Sequence, residues 1–237
     1  MLDFHTHILP NMDDGSGSIE ESLQLLDKLE KDGVDTLILT PHFYPMNEGL
    51  DEYLNRRDVS YKRLKDAYKG NIKLLLGSEV HYYRGIDKSE SIYSLCVENS
   101  DLLLLELPMS HKVNISEIIA LNNGLQVVLA HIERYLDMYS KGEIHSLVSR
   151  NVYLQTNSEV FSDKYFDLIK DLFEQGAIHF VGSDTHNNKD RCPTMDKYKE
   201  FVKKEYSDEF FLTFDEKCYK ILEQRKNKWK NLVLHYY

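Results

Sequence analysis

Cysteine is scarce in this 237-residue chain, which has only Cys96, Cys192 and Cys218. Three scattered thiols exclude a disulfide framework and a cysteine-rich zinc module, and they fit a reducing cytoplasm. Long apolar runs are missing too: nothing approaches the roughly 18 unbroken residues of a membrane span. The opening Met1-Leu-Asp-Phe-His5 carries no basic and apolar secretory pattern, so the N-terminus is expected to be mature as written. Basic charge is in deficit, with 29 Lys and Arg against 39 Asp and Glu and a net charge of −10. That argues against broad binding to nucleic acid or insertion at an anionic membrane, but not against a small anionic substrate held by metal ions. No Pro-, Gly- or Ser-rich linker, fixed-period repeat or low-complexity tract marks a boundary, so residues 1–237 are expected to form one domain. Other signatures are absent as well. A cysteine phosphatase needs Cys-x5-Arg, and Arg225 stands seven positions after Cys218, one too far. There is no Asp-x-Asp pair for an aspartyl-phosphate route and no Gly-x4-Gly-Lys nucleotide loop.

What is present is a globular balance, 42% apolar and 29% charged, able to bury a core. Seven short apolar runs, at 2–6, 35–41, 73–80, 101–107, 125–131, 151–156 and 178–183, alternate with amphipathic stretches, the mark of a β/α repeat. The runs at 35–41 and 101–107 are apolar almost throughout, as strands of a parallel sheet covered on both faces should be. Ser18-Ile-Glu-Glu21 reads as a capping box, Leu23, Leu26 and Leu29 follow on one helical face, and Gly33 ends that helix. Similar patterns predict helices over about 51–69, 114–123, 140–149, 163–175 and 194–205. The tail from about 207, with Trp229 as the only tryptophan, is expected to be a closing helix with a strand-like end.

Nearly every predicted strand ends in a metal-competent residue: His5-Thr-His7, His42, Glu79, Glu106, His131 and Asp184-Thr-His186. In a parallel barrel the C-terminal strand ends meet at one rim, so these residues would face one another there. Each piece alone is common; two His-containing pairs and four further ligand types, all at strand ends, are not. Imidazole and carboxylate without thiolate suit Zn, Mn or Fe. Eight or nine ligands exceed one ion's needs, and a carboxylate such as Glu79 can bridge two. Such clusters generate hydroxide at neutral pH and stabilise both oxygens of an in-line displacement at phosphorus. Arg134 and Arg191, three and five residues after His131 and His186, offer guanidinium forks matched to phosphoryl oxygens. Asp13 and Asp14, in Asn-Met-Asp-Asp-Gly, are either turn residues or a source of one more ligand.

The order His-x-His, His, Glu, Glu, His, Asp-x-His resembles the PHP (polymerase and histidinol phosphatase) superfamily. The segments around His5–Gly15, Gly77-Ser-Glu-Val80, Ala130-His-Ile-Glu-Arg-Tyr135 and Ser183-Asp-Thr-His-Asn187 with Arg191 resemble its manganese-dependent protein-tyrosine phosphatases of bacterial capsule synthesis. The resemblance implies an α/β fold, a distorted (β/α)7 TIM-like barrel with its metal site at the C-terminal rim. It implies one ion on His5, His7, Glu79 and Asp184, a second on Glu79, Glu106 and His131, and a third on Asp14, His42 and His186. Arg134 and Arg191 would bind phosphate and a metal-bridging hydroxide would attack it. Manganese is the implied metal, with Fe, Zn or Mg able to replace it, and the implied partner is a phosphotyrosine-bearing tyrosine kinase controlling capsular or extracellular polysaccharide. Tyr44, Tyr82 and Tyr83 are candidates to line the rim, and His81, His111 and Asp13 to assist protonation of the leaving group. A phenolate leaves with a pKa of about 10, needing less help from an acid than an alkoxide. The rival readings are a small-molecule phosphatase such as one for histidinol phosphate, and a non-catalytic metal-binding accessory module. An amidohydrolase is disfavoured, since no Lys ends a strand. Tyr236 and Tyr237 form an unusual tail to which the sequence assigns no role.

Overall fold

Each of the seven apolar runs contains a strand in the computed structural model, which describes residues 1–86, 90–162 and 165–235. Two strands are broken by their own residues. The second run gives β2 (Thr36–Leu39) and ends at Thr40-Pro41, where proline has no N–H for the ladder, and β3 (His42–Phe43) follows just past it. The third gives β4 (Lys73–Leu76) and β5 (Glu79–His81), interrupted at Gly77-Ser78. The others are β1 (Leu2–Thr6), β6 (Leu102–Glu106), β7 (Gln126–Leu129), β8 (Tyr153–Asn157) and β9 (Phe180–Gly182). All pair in parallel, β1-β2-β4 in one sheet and β3-β5-β6-β7-β8-β9 in another. Backbone bonds cross both breaks, from Gly77 N to Leu39 O and from Glu79 N to Pro41 O, so the two sheets form one curled surface. The curl meets itself where Thr6 bridges Thr185.

The helices are α1 (Ile19–Asp32), α2 (Leu50–Ala67), α3 (Ile115–Asn122), α4 (Lys141–Ser149), α5 (Phe166–Glu174), α6 (Met195–Glu205) and α7 (Asp208–His235). Gly33 ends α1 at φ 96°, the left-handed conformation glycine adopts without penalty. At its start the predicted capping box is half made: Ser18 Oγ accepts from Glu21 N, but Glu21 Oε2 accepts from Gly17 N rather than from Ser18 N. The full reciprocal box forms at Ser140 and Glu143 of α4. Of the stretch 163–175, α5 covers Phe166–Glu174, and residues 163 and 164 lie outside the described residues.

Strand alternation sorts the core into two layers. Leu103, Leu105, Val127 and Leu129 face outward onto residues such as Leu25, Leu29, Ile118, Ile144 and Val202 of the surrounding helices. Leu2, Phe4, Ile38, Leu102, Leu104, Val128 and Phe180 face the inside of the curl, where Cys218, Ile221 and Leu222 of α7 cover them. Here the expected strand-like end is corrected: 208–235 is one helix, because Cys218, Ile221, Leu222 and Arg225 fall on a single helical face that the barrel end covers. Tyr236 and Tyr237 lie outside the described residues. Three polar contacts of α7 reach N-terminal strand ends. Asp215 accepts from Leu2 N, Tyr219 reaches Asp35, and Arg225 makes a two-pronged pair with buried Asp101. One end of the barrel is thereby sealed, and the opposite rim stays open. Among the described residues no helix is long and apolar enough to cross a membrane.

His179, just before β9, accepts a hydrogen bond from Leu154 N through Nδ1 at 3.2 Å and stacks on Tyr153. Burial, with the charge of Lys217, pushes its pKa down to about 4. The unfolded chain takes up that proton near pH 6.5, so this group lowers stability as pH falls from about 6.5 to about 4. The margin of the wild type over His179→Asn in urea-unfolding midpoint should therefore narrow across that window; a constant margin would show that the ring titrates normally.

Candidate metal centre

At the open rim the first strand and the last are stitched together. Asp184 N donates to His5 O and His7 N to Thr185 O, both at 2.8 Å. The approach is close enough to require glycine. A Cβ on Gly182 would stand 2.4 Å from His5 Cβ, and one on Gly15 only 2.1 Å from His7 O. Two non-glycine residues here hold positive φ, His131 at 33° and Asp184 at 52°. Such conformations persist only where surroundings enforce them, and they concentrate at working sites. The enforcing bonds are visible: His131 N donates to Gln155 Oε1 at 2.8 Å, and Asn157 Nδ2 to Asp184 Oδ2 at 3.0 Å.

Glu79 is the hub. Its Oε2 lies 3.0 Å from His5 Nε2, 3.1 Å from His7 Nε2 and 3.0 Å from His42 Nδ1, while Oε1 lies 2.9 Å from His131 Nε2. Asp184 Oδ1 stands 3.6 Å and 3.4 Å from the same His5 and His7 nitrogens. Glu106 Oε1 is 3.6 Å from His131 Nε2. Asp14 Oδ1, on an exposed side chain, is 3.6 Å from His42 Nε2 and 3.3 Å from His186 Nε2. The nine residues singled out in the sequence thus form one continuous network. Within it, three groups bring ligand atoms within 4.8 Å of one another: His7, Asp14, His42 and His186; His5, His7 and Asp184; and His42, Glu79 and Glu106. This grouping differs from the implied one in that His7 and His42 each belong to two groups, Glu79 to one, and His131 stands beside the third.

The proton positions on the rings follow from their outer partners. His5 Nδ1 faces Gln155 Oε1, His7 Nδ1 faces Asp13 Oδ2, and His186 Nδ1 faces the carbonyl of Asp184. All three partners are acceptors, so each Nδ1 carries the proton. Tyr135 gives its hydroxyl proton to Leu107 O, which leaves its oxygen to accept from His131 Nδ1. Four imidazoles therefore turn a bare Nε2 lone pair into the cluster, the arrangement that outer-shell partners impose on metal-ligating histidines. His5 and His7 point these lone pairs at each other across 3.0 Å. His42 Nδ1, Glu79 Oε2, Asp184 Oδ1 and His186 Nε2 are buried without a hydrogen-bond partner. Buried polar atoms are almost always paired, so four orphans converging on one point fit metal ions, and the imidazole–carboxylate donor set suits them.

The electrostatics agree. Burial alone would raise Glu79 and Asp184, yet the surrounding histidines, His5 first, hold both carboxyls well below the usual range. Burial works against a charged His5 or His7, but Glu79 beside the first and Asp13 beside the second raise both. His42 and His186 are pushed down by burial and by the charge of His7, His186 to about 4. The pocket favours positive charge at its middle. Burial would likewise raise Asp13, but His7 and His42 bring it down to about 2. That removes Asp13 from the candidates for protonating a leaving group: its Oδ2 accepts from both His7 Nδ1 and His42 N.

The two arginines converge as well. Arg134 Nη2 and Arg191 Nη2 each lie 2.9 Å from Asp184 Oδ2, with side chains 36% and 34% exposed. Arg191 Nη1 also reaches Asp14 Oδ2 at 3.2 Å. His81 Nδ1 meets Glu106 Oε2 at 3.0 Å, and Tyr44 lies against His42 and His81 at ring distances of 4.9 and 5.4 Å. His111 is exposed and bonds Ser110. The sequence reading missed Gln155, Asn157 and Tyr135. Gln155 and Asn157 were visible as polar residues at and just past the end of the run 151–156; Tyr135 was visible only as the last residue of the Ala130–Tyr135 segment, with no role attached.

A family model for capsular polysaccharide synthesis, CpsB/CapC, matches residues 1–221. The chain belongs to this family. It is 30% identical over 224 residues to the tyrosine-protein phosphatase CpsB of Streptococcus pneumoniae, an alignment covering 87% of this chain and 91% of that one. A chain from the crystal structures of YwqE from Bacillus subtilis and CpsB from Streptococcus pneumoniae, described as unique metal-dependent tyrosine phosphatases, superposes with a TM-score of 0.80 at 26% identity, covering 95% of each chain. The fold extends to a histidinol phosphate phosphatase from Lactococcus lactis, with a TM-score of 0.58 at 15% identity over 86% of this chain and 92% of that one. The curled parallel α/β architecture is shared with these relatives.

Gly182→Ala should displace His5, lowering both bound metal and melting temperature, with a stability loss of about 1–3 kcal/mol from overpacking. Metal analysis and thermal melts check this; full metal content in the variant would show that the seam tolerates the extra carbon.

Proposed function

We propose that the chain is a metal-dependent protein-tyrosine phosphatase that hydrolyses phosphotyrosine on a tyrosine kinase of capsular or extracellular polysaccharide synthesis, acting in the cytoplasm as one domain over residues 1–237. One observation carries the reading: two half-exposed guanidiniums meet on a single carboxylate oxygen at the edge of the histidine–carboxylate network. A bidentate cation pair beside hard-metal ligands is matched to a phosphoryl group. The relatives' names supply the phosphotyrosine.

In this reading His5, His7, Glu79 and Asp184 hold one ion, Glu79, Glu106 and His131 a second, and Asp14, His42 and His186 a third, with manganese the metal and Fe, Zn or Mg able to take its place. Bound there, the ions would lower the pKa of water and offset charge on the phosphoryl oxygens. The protein's own residues do the rest. Gln155, Asp13 and Tyr135 keep the Nε2 lone pairs aimed inward by holding the Nδ1 protons. Arg134 and Arg191 grip the phosphoryl oxygens from the open side, and Asp184 holds the two forks in register. A phenolate, with a pKa of about 10, departs without a dedicated acid.

Manganese-reconstituted protein should hydrolyse a phosphotyrosine peptide in preference to histidinol phosphate and lose that activity to a chelator. Preference for histidinol phosphate would move the substrate to a small molecule, and no turnover of either would favour an accessory module. Arg191→Ala should lose about 10²–10³ in kcat, the scale for removing one preorganised charge donor, with metal content intact. His5→Ala with His7→Ala should lose activity and most bound metal together; turnover retained in the double variant would sink the ligand assignment.

A further inference from the structure

We infer that a groove running outward from the metal centre docks the polypeptide flanking the phosphotyrosine, and that Arg84 selects an acidic side chain in that segment; this rests on the function proposed above. One wall of the groove is tied to the site. Tyr82 N donates to Glu106 O at 2.8 Å, and His81 Nδ1 meets the Glu106 carboxylate. The chain leaving β5 is therefore bonded to the rim of the network, and it forms one wall.

The hollow between that wall and the segment after β6 holds about 350 Å³, with Tyr82, Tyr83 and Arg84 on one side and His111 and Lys112 on the other. It runs on into a second hollow of about 300 Å³, sharing Tyr82, Arg84 and Glu117 with the first. Two joined hollows suit a polypeptide segment rather than a compact small molecule. Met109, 58% exposed, stands in the same post-β6 segment.

The charges decide what that segment carries. Glu117 Oε2 accepts from the Tyr82 hydroxyl at 2.7 Å and is thereby engaged. Lys112 Nζ is taken by Glu143 at 2.6 Å and lies over the Tyr139 ring. Arg84 is 91% exposed, with Glu117 no nearer than 3.9 Å. Its guanidinium stands in solvent, ready for a carboxylate arriving with the substrate. On a chain of net charge −10, an acidic segment is repelled by most of the surface, so one such cation beside the site confers register.

The test compares manganese-loaded wild type with Arg84→Glu on three substrates: a phosphotyrosine peptide flanked by glutamates, the same peptide flanked by lysines, and p-nitrophenyl phosphate, which is too small to enter the groove. Arg84 is exposed, so the variant should fold. It should raise KM for the acidic peptide about three- to tenfold, the scale of replacing an exposed attraction by a repulsion. Its kcat and its turnover of p-nitrophenyl phosphate should stay within about twofold, and its preference for the acidic over the basic peptide should shrink or invert. An unchanged KM for the acidic peptide, with normal p-nitrophenyl phosphate turnover, would overturn the groove and leave the phosphatase reading standing. A wild type that turns over none of the three would overturn both.

Discussion

Three imidazole nitrogens lie within 3.1 Å of one buried carboxylate oxygen, Glu79 Oε2, and no hydrogen bond satisfies it. A buried anion left in that state is among the more expensive arrangements a protein can hold. Around it the other donors are fixed with their lone pairs inward, by Gln155, Asp13, Tyr135 and the Asp184 carbonyl. The arrangement is stable only with positive charge at its centre. The close seam between β1 and β9 that Gly182 allows, the tight loop that Gly15 packs on His7, and the left-handed backbone at His131 and Asp184 all serve to bring these atoms to that point.

The two strand breaks belong to the same design. At Pro41 and at Gly77-Ser78 the two strands are interrupted together without a change of register, Leu39 pairing with Leu76 before the break and His42 with Glu79 beyond it. Arg57, buried in α2, fastens the second break by donating to Gly77 O and Ser78 Oγ.

Much of this was legible in the chain. Strand runs are short and apolar because both faces are covered, and ligand types at their ends stand out against that background. His5, His42, Glu79, Glu106, His131 and Asp184 could be read in this way from type and position alone. The residues that orient them could not, because a glutamine or tyrosine acquires its role from a partner more than twenty residues away: Gln155 joins His5 to His131, and Tyr135 joins His131 to Leu107. Asp13 and Asp14 were indistinguishable as neighbours in a turn; folding buries the first against His7 and leaves the second facing solvent. The tail reads in sequence as a closing helix with a strand-like end; the helix is right, and it continues through His235 instead of giving way to a strand.

The seam also sets when the site comes into being. Ser183 N bonds to Asp3 across a separation of 180 residues, and Asp184 and His186 follow at once. A growing chain thus carries His5, His7 and Glu79 long before it has the groups that complete them. Closing so long a loop comes late and slowly in folding. Until then the early ligands are an incomplete set held in no fixed geometry. Ion capture is consequently coupled to barrel closure, and a chain that has acquired its metals is one whose two ends have already found each other.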